Sequence, residues 1–298
     1  MFKVKLYSIL LFLLGSLQVA GQAQKPVRIT YAVKDTSTLW FDWYKPTAKA
    51  NGMSVLFIHG GAFTGGDPEN QRPMAEGLNK LGYNVFVIKY RLYLKGKSFG
   101  CDMVLPEKLK AIRQGVEDGR DATAYLINHA GELQVDTSKL FLAGSSAGAE
   151  AVLNLVFNPF TRKNDTAYNL YRTFRYAGVL SFAGAVLDIN TVYAHAPVPV
   201  FMMHGTNDQL VPYATAAHRF CKAVDPGWMI MFGARTLYEE MYKRKWPVVL
   251  YSYEGSGHEV SSYMFRKFTE MDSFMQQAVK QKVKAAHLVV KRNDQPKK

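Results

Sequence analysis

At 298 residues, with 48% hydrophobic and 20% charged side chains, the chain can bury a large core and is neither a disordered nor a fibrous sequence. Its 37 basic side chains outnumber 24 acidic ones, giving +13, a balance that invites nucleic acid or an anionic surface as partner. The basic residues are scattered in short groups and in a Lys/Arg-rich tail over 289–298, with no nucleic-acid motif among them, so a solvated surface is the better reading.

Lys3 and Lys5 precede an uncharged apolar run over 6–17, and Gly21-Gln22-Ala23 supplies the small residues that a signal peptidase reads. Residues 1–23 therefore read as a secretory signal peptide, and the expected mature protein is exported, periplasmic or extracellular. The apolar run is shorter than the roughly 18 residues that span a bilayer, and no later segment reaches that length, so stable membrane insertion is not expected. Two cysteines, Cys101 and Cys221, permit one disulfide in an oxidising compartment and equally permit two buried thiols.

Segments 27–33 and 39–44 read as strands joined by a polar turn. Residues 53–58 form a continuous apolar run, the pattern of a strand buried on both faces, and His59-Gly60-Gly61-Ala62-Phe63 follows immediately. A helix is expected over 70–81, a buried strand over 84–90 and a long helix over 106–129. Lys139 to Ala143 is a short apolar strand that passes through Gly144-Ser145-Ser146-Ala147-Gly148 into a helical stretch, the context in which a G-x-S-x-G pattern carries meaning. Apolar runs over 177–186 and 198–203 follow, the second leading into His204-Gly205-Thr206-Asn207-Asp208 and an expected helix over 212–224. A last strand over 248–253 leads to Gly257-His258, and 262–281 reads as the closing helix. Strand and helix alternate throughout, which predicts an α/β fold: a mostly parallel, doubly wound sheet with helices on both faces, in one domain spanning 24–298.

A serine hydroxyl is a weak nucleophile at neutral pH; it needs a base to take its proton and a carboxylate to hold that base in one tautomer. Ser146, Asp208 and His258 each follow an expected strand directly, in the order serine, acid, histidine. Asp188 also follows a buried strand and is the rival acid; Asp208 is preferred because it follows the penultimate strand. The backbone N–H groups of Gly61, Ala62 and Ala147 are the expected oxyanion donors. His59 and His204 read as supports of the oxyanion loop and the acid turn. His129, His195, His218 and His287 lack a matching strand-end position.

These four motifs, the HGGAF stretch, the Ser146 elbow, the Asp208 turn and the Gly257-His258 pair, resemble the α/β-hydrolase superfamily over about 39–274. More narrowly they resemble its carboxylesterase branch with an HGG oxyanion loop, including hormone-sensitive-lipase-like and feruloyl or acetyl esterases. Ala62 stands where many relatives have a third glycine, and Ala149 where many have a second one after the elbow; alanine keeps the N–H. The resemblance implies no metal and no organic cofactor. The expected function is a secreted serine esterase acting on short-acyl, acetyl or hydroxycinnamoyl esters, as small molecules or linked to polysaccharide. A peptidase of prolyl-oligopeptidase type and a non-catalytic binding module are the alternatives. The aromatic group Trp228, Phe232, Tyr238, Tyr242 and Trp246 is either core or a lid over the substrate.

Overall fold

The computed structural model describes residues 25–158, 160, 173–194 and 197–294, so the signal-peptide segment 1–23 and His195 lie outside the described residues. A nine-stranded sheet runs in the order β1-β2-β4-β3-β5-β6-β8-β11-β12. Its members are β1 (Val27–Lys34), β2 (Ser37–Tyr44), β3 (Ser54–Ile58), β4 (Asn84–Ile88), β5 (Leu140–Ser145), β6 (Gly178–Phe182), β8 (Val200–Gly205), β11 (Val248–Tyr253) and β12 (Ala286–Val290). Within this sheet only the β1–β2 and β2–β4 pairings are antiparallel; the rest are parallel. This is the α/β-hydrolase fold.

The continuous apolar runs exist because the central strands are covered on both faces. Along β3, Leu56 and Ile58 point into one core with Phe86, Ile88 and Leu142, while Val55 and Phe57 point into the other with Val85, Val87 and Phe141. Helices α1 (Arg72–Asn79), α2 (Leu105–Asn128), α3 (Ala147–Phe157), α4 (Ala234–Lys243) and α5 (Phe268–Val279) supply the covering layers. Both α1 and α2 begin with proline in the first turn, where the missing N–H costs nothing.

Four expectations change. The run over 177–186 is not one strand: Ala183, at φ 57°, turns the chain out of β6 into β7 (Ala185–Val186). The segment 212–224 is not a helix. It forms β9 (Thr215–Ala217), which pairs with β10 (Ile230–Gly233) in a small antiparallel β7-β10-β9 sheet, and a 3₁₀ turn whose Arg219 and Phe220 sit at φ 56° and 51°, values that end any helix. The closing helix is two pieces, a 3₁₀ segment His258–Phe265 and α5, because the chain must bend to bring His258 back over the sheet. The basic tail begins later than 289, since Val289 and Val290 pair with Ser252 and Tyr253 in edge strand β12.

The aromatic group divides. Phe232 lies in β10 and Tyr238 is buried on α4. Tyr242 and Trp246 line a cavity of about 950 Å³ with Pro197 and Pro199 at the amino ends of the strands. Ser146 lies at the opposite, carboxyl ends, so these rings are not a lid over it.

Cys101 and Cys221 are disulfide-bonded, with 5.3 Å between Cα atoms and a sequence separation of 120. The bond ties the loop before α2 to the segment after Asp208, where Gly227 N–H also donates to Cys101 O. Closing so long a loop restricts the unfolded chain, so the Cys101→Ser/Cys221→Ser double variant is expected to lose about 2–5 kcal/mol in urea unfolding. A variant as stable as the parent would show that the bond constrains nothing.

Candidate active site

Ser146 sits between β5 and α3 at φ 53°, ψ −123°, a conformation that non-glycine residues avoid and that surrounding structure must hold. Two contacts enforce it. A Cβ at Gly144 would lie 2.3 Å from Gly148 O, and one at Gly148 would lie 2.0 Å from Ile58 O, so strand and helix meet closer than side chains allow. The Ser146 N–H donates to Phe182 O at 2.8 Å, fixing the turn from the neighbouring strand.

The three residues expected to act together are in contact. Ser146 Oγ lies 2.7 Å from His258 Nε2, and His258 Nδ1 lies 2.7 Å from Asp208 Oδ2. A carboxylate only accepts, so Nδ1 carries the proton and Nε2 is left free to accept from the serine. Asp208 is buried. Its Oδ1 accepts from the N–H groups of Leu210 (2.8 Å) and Val211 (3.0 Å), while His204 Nε2 approaches Oδ2 at 3.3 Å and Val211 O at 3.1 Å. Burial by itself pushes the Asp208 pKa up, but hydrogen bonds from His204 and His258, and their charges, outweigh it and hold the carboxyl well below its ordinary range. The rival Asp188 is elsewhere: its Oδ1 accepts from the N–H and side-chain amide of Asn190 in a local turn.

The loop after β3 is shaped by three successive positive φ angles, 119° at Gly61, 54° at Ala62 and 57° at Phe63. Gly61 O accepts from the N–H groups of Thr64 and Gly65, which closes the loop on itself. Among the described residues, the N–H groups of Gly61, Ala62 and Ala147 donate to no protein acceptor. Gly60 packs against the Ser146 turn, where an added Cβ would lie 3.0 Å from Ser146 Cβ. His59 is buried and donates from Nδ1 to Gly60 O at 2.6 Å; burial lowers its pKa and keeps it neutral. Tyr90 donates to His59 O and packs on its ring at 4.6 Å.

Sequence reasoning missed several supports. Ser145 Oγ donates to Ser261 O, fastening the His258 segment to β5; the doubled serine at 145–146 was its only trace. Glu150, on the first turn of α3, lies 3.1 Å from His218 Nε2, both buried. Lys108 joins this group by donating to Gly227 O, and burial, more than the opposing pull of Glu150, lowers its pKa to about 8. The Glu150–His218 contact holds α3, and the Lys108 bond holds α2, against the segment that follows Asp208.

A second serine–histidine pair shows what the first has that it lacks. Ser252 Oγ lies 2.7 Å from His287 Nε2, but Nδ1 of that ring receives an N–H from Arg235 at 3.0 Å. A guanidinium only donates, so the proton of a neutral His287 is on Nε2, pointing at Ser252, and cannot be exchanged for the serine's own. The tautomer is the reverse of that at His258.

The fold and this constellation define an α/β-hydrolase-fold protein. The BD-FAE family model matches residues 41–195, and the chain belongs to that family. The chain is 23% identical to the uncharacterized protein YfhR of Escherichia coli K12 over 217 residues, covering 68% of this chain and 70% of that one. It is 24% identical to YfhR of Salmonella typhi over 222 residues, covering 66% and 70%. Among solved structures it resembles propionate-bound Est2, a thermophilic esterase of Thermogutta terrifontis, with TM-score 0.61, 19% identity, and 86% and 96% of the two chains covered. It also resembles Thermogutta terrifontis esterase 2 phosphorylated by paraoxon, with TM-score 0.62, 20% identity, and 88% and 97% covered. Among the described residues, no helix is long and apolar enough to cross a membrane.

Proposed function

We propose that the chain is an exported serine carboxylesterase of the acyl-transfer type, hydrolysing short-acyl, acetyl or hydroxycinnamoyl esters, free or on carbohydrate. The observation that carries this reading is the continuous path from Ser146 Oγ through His258 to Asp208, with 2.7 Å at each step. Ser146 Oγ attacks the ester carbonyl carbon while its proton passes to His258 Nε2, and Asp208 stabilises the imidazolium that results. The carbonyl oxygen becomes an oxyanion and is received by the N–H groups of Gly61, Ala62 and Ala147; one such donor is worth about 2.7–4 kcal/mol in the transition state. His258 returns the proton to the leaving alkoxide as the carbon–oxygen bond breaks. Water then attacks the acyl-enzyme, giving its proton to His258, and the acid departs as Ser146 regains a proton.

The esterase of Thermogutta terrifontis, with propionate bound in one structure and phosphorylated by paraoxon in another, supports a serine hydrolase with a small acyl pocket. Export is supported by the signal-like residues and by a disulfide that oxidising compartments maintain. The test is hydrolysis of p-nitrophenyl acetate, butyrate and octanoate by the protein and by Ser146→Ala, with paraoxon labelling followed by intact mass. Turnover that falls with acyl length, and that disappears with labelling in the variant, is expected. Full activity in Ser146→Ala would remove Ser146 from the reaction.

A further inference from the structure

Four of the basic side chains, Lys89, Arg91, Lys95 and Lys110, share one wall beside the loop that follows β3. A cavity of about 710 Å³ opens there, with His59 and Gly66 on one side and Trp40 of β2 on the other. Its polar groups do not balance. Asp35 is already paired with Arg91 at 3.5 Å, and Asp67 accepts from Glu69 N–H at 2.8 Å. Arg91 is further held by Asp118 at 2.8 Å and Glu117 at 3.3 Å. The other three cations in the wall, Lys89, Lys95 and Lys110, make no ion pair with a carboxylate among the described residues. Two of them lie near aromatic rings instead: Lys89 Nζ is 5.9 Å from the Trp40 centroid and Lys110 Nζ is 4.4 Å from that of Tyr93.

We propose that this cavity is a subsite for an acidic carbohydrate, receiving a uronate residue of the alcohol portion of the substrate. The assignment rests on the esterase reading of the neighbouring site and names its substrate class. Lys110 already feels Glu107 and Asp35 through its place beside Tyr93, but Lys89 and Lys95 have no such partner, and cations that share a concave wall raise the local concentration of anions. The rings of Trp40 and Tyr93, set among Ser37, Gln114 and the lysines, suit a ring that is apolar on its faces and hydroxylated at its edge. A purely apolar ligand would strand those polar groups. The position fits as well. Gly60 touches the nucleophile turn and its neighbour His59 lines the cavity, so one thickness of the oxyanion loop separates them. A polymer whose ester lies at Ser146 reaches across that loop with its next residue.

Binding is measured on full-length Ser146→Ala protein by titration calorimetry with trigalacturonate, xylotriose and a triglutamate peptide, each at low and high salt, so that the outcome does not depend on turnover. Trigalacturonate is expected to bind at least about tenfold more tightly than either of the others, and less tightly as salt rises. Adding Lys89→Gln, Lys95→Gln and Lys110→Gln together is expected to weaken it about tenfold, in a protein with an unchanged melting temperature. The control replaces Lys243, Lys245 and Lys284, which line the distant cavity, with glutamine; the net charge changes equally and the affinity stays within about twofold. No binding of trigalacturonate, equal binding of xylotriose or triglutamate, or equal losses in the two triple variants would each overturn the proposal. An ester panel that fails while trigalacturonate binds leaves the subsite standing and removes the esterase reading alone.

Discussion

Asp208→Asn is expected to lower kcat for p-nitrophenyl acetate by about 10⁴-fold with little change in KM. Substitution leaves the shape of the side chain but replaces an acceptor-only group by one that also donates. The buried amide satisfies the Leu210 and Val211 N–H groups through its oxygen, so its nitrogen is turned toward His258 Nδ1. His258 then carries its proton on Nε2, facing Ser146, as His287 faces Ser252. The base is present and cannot act as one. Substrate binding does not use this hydrogen bond, which is why KM moves little. Asp188→Asn serves as the comparison and is expected to keep activity within about twofold. If Asp188→Asn lost activity and Asp208→Asn did not, the acid would have been assigned to the wrong strand.

The same substitution has a signature in stability. Burial raises the Asp208 pKa, yet the hydrogen bonds and charges of His204 and His258 bring it well below the unfolded value of about 3.9. The folded protein therefore holds this carboxylate ionised where the unfolded chain has protonated it. Its contribution to stability is complete above the unfolded pKa and is lost as pH falls through the folded one. The amide introduced by Asp208→Asn has nothing to titrate. The difference in urea midpoint between parent and variant is thus expected to be full at pH 7 and to narrow progressively below about pH 4. A difference that stayed constant down to pH 3 would mean that Asp208 is not held ionised by its two histidines.

What could be read from the sequence follows what local rules control. Strands β3, β4, β5, β8 and β11 are largely buried on both faces, and that condition leaves an uninterrupted apolar run that no helix of the same length imitates with glycines at its end. The residues at their carboxyl ends can therefore be ordered from the sequence, and Ser146, His258 and Asp208 meet because the parallel sheet brings those ends together. The segment 212–224 misled because its apolar and basic residues suit a helix, while the interactions that make it β9 lie in β10 and in the disulfide at Cys221. β12 is half exposed at a sheet edge and lacks the apolar signature. The Glu150–His218 contact joins residues 68 positions apart on elements whose approach only the assembled sheet decides. The lysines of the cavity at Trp40 come from the stretch after β4, with Lys89 and Lys95, and from Lys110 on α2, and only the assembled sheet puts the two side by side.

Gly148→Ala is expected to destabilise the protein by about 3 kcal/mol or more and to remove most activity. The added methyl would lie 2.0 Å from Ile58 O, 2.6 Å from Ile58 C and 2.6 Å from His59 O. All three are backbone atoms at the end of a central strand, so no side chain can rotate away. The helix must move from β3, and the motion falls where the Ser146 turn and the loop after β3 touch. Ser146 rides on the first and Gly61 and Ala62 on the second, so stability and turnover should fall together. Gly131→Ala separates this effect from the general consequences of replacing glycine, because an added Cβ there meets nothing within 4 Å and φ is not positive. Urea unfolding and ester hydrolysis of both variants provide the comparison. Gly131→Ala should match the parent or exceed it slightly, by about 0.4–1 kcal/mol, through the reduced freedom of its unfolded chain. A Gly148→Ala protein with parental stability and activity would show that α3 and β3 are not in the close contact on which the geometry of Ser146 depends.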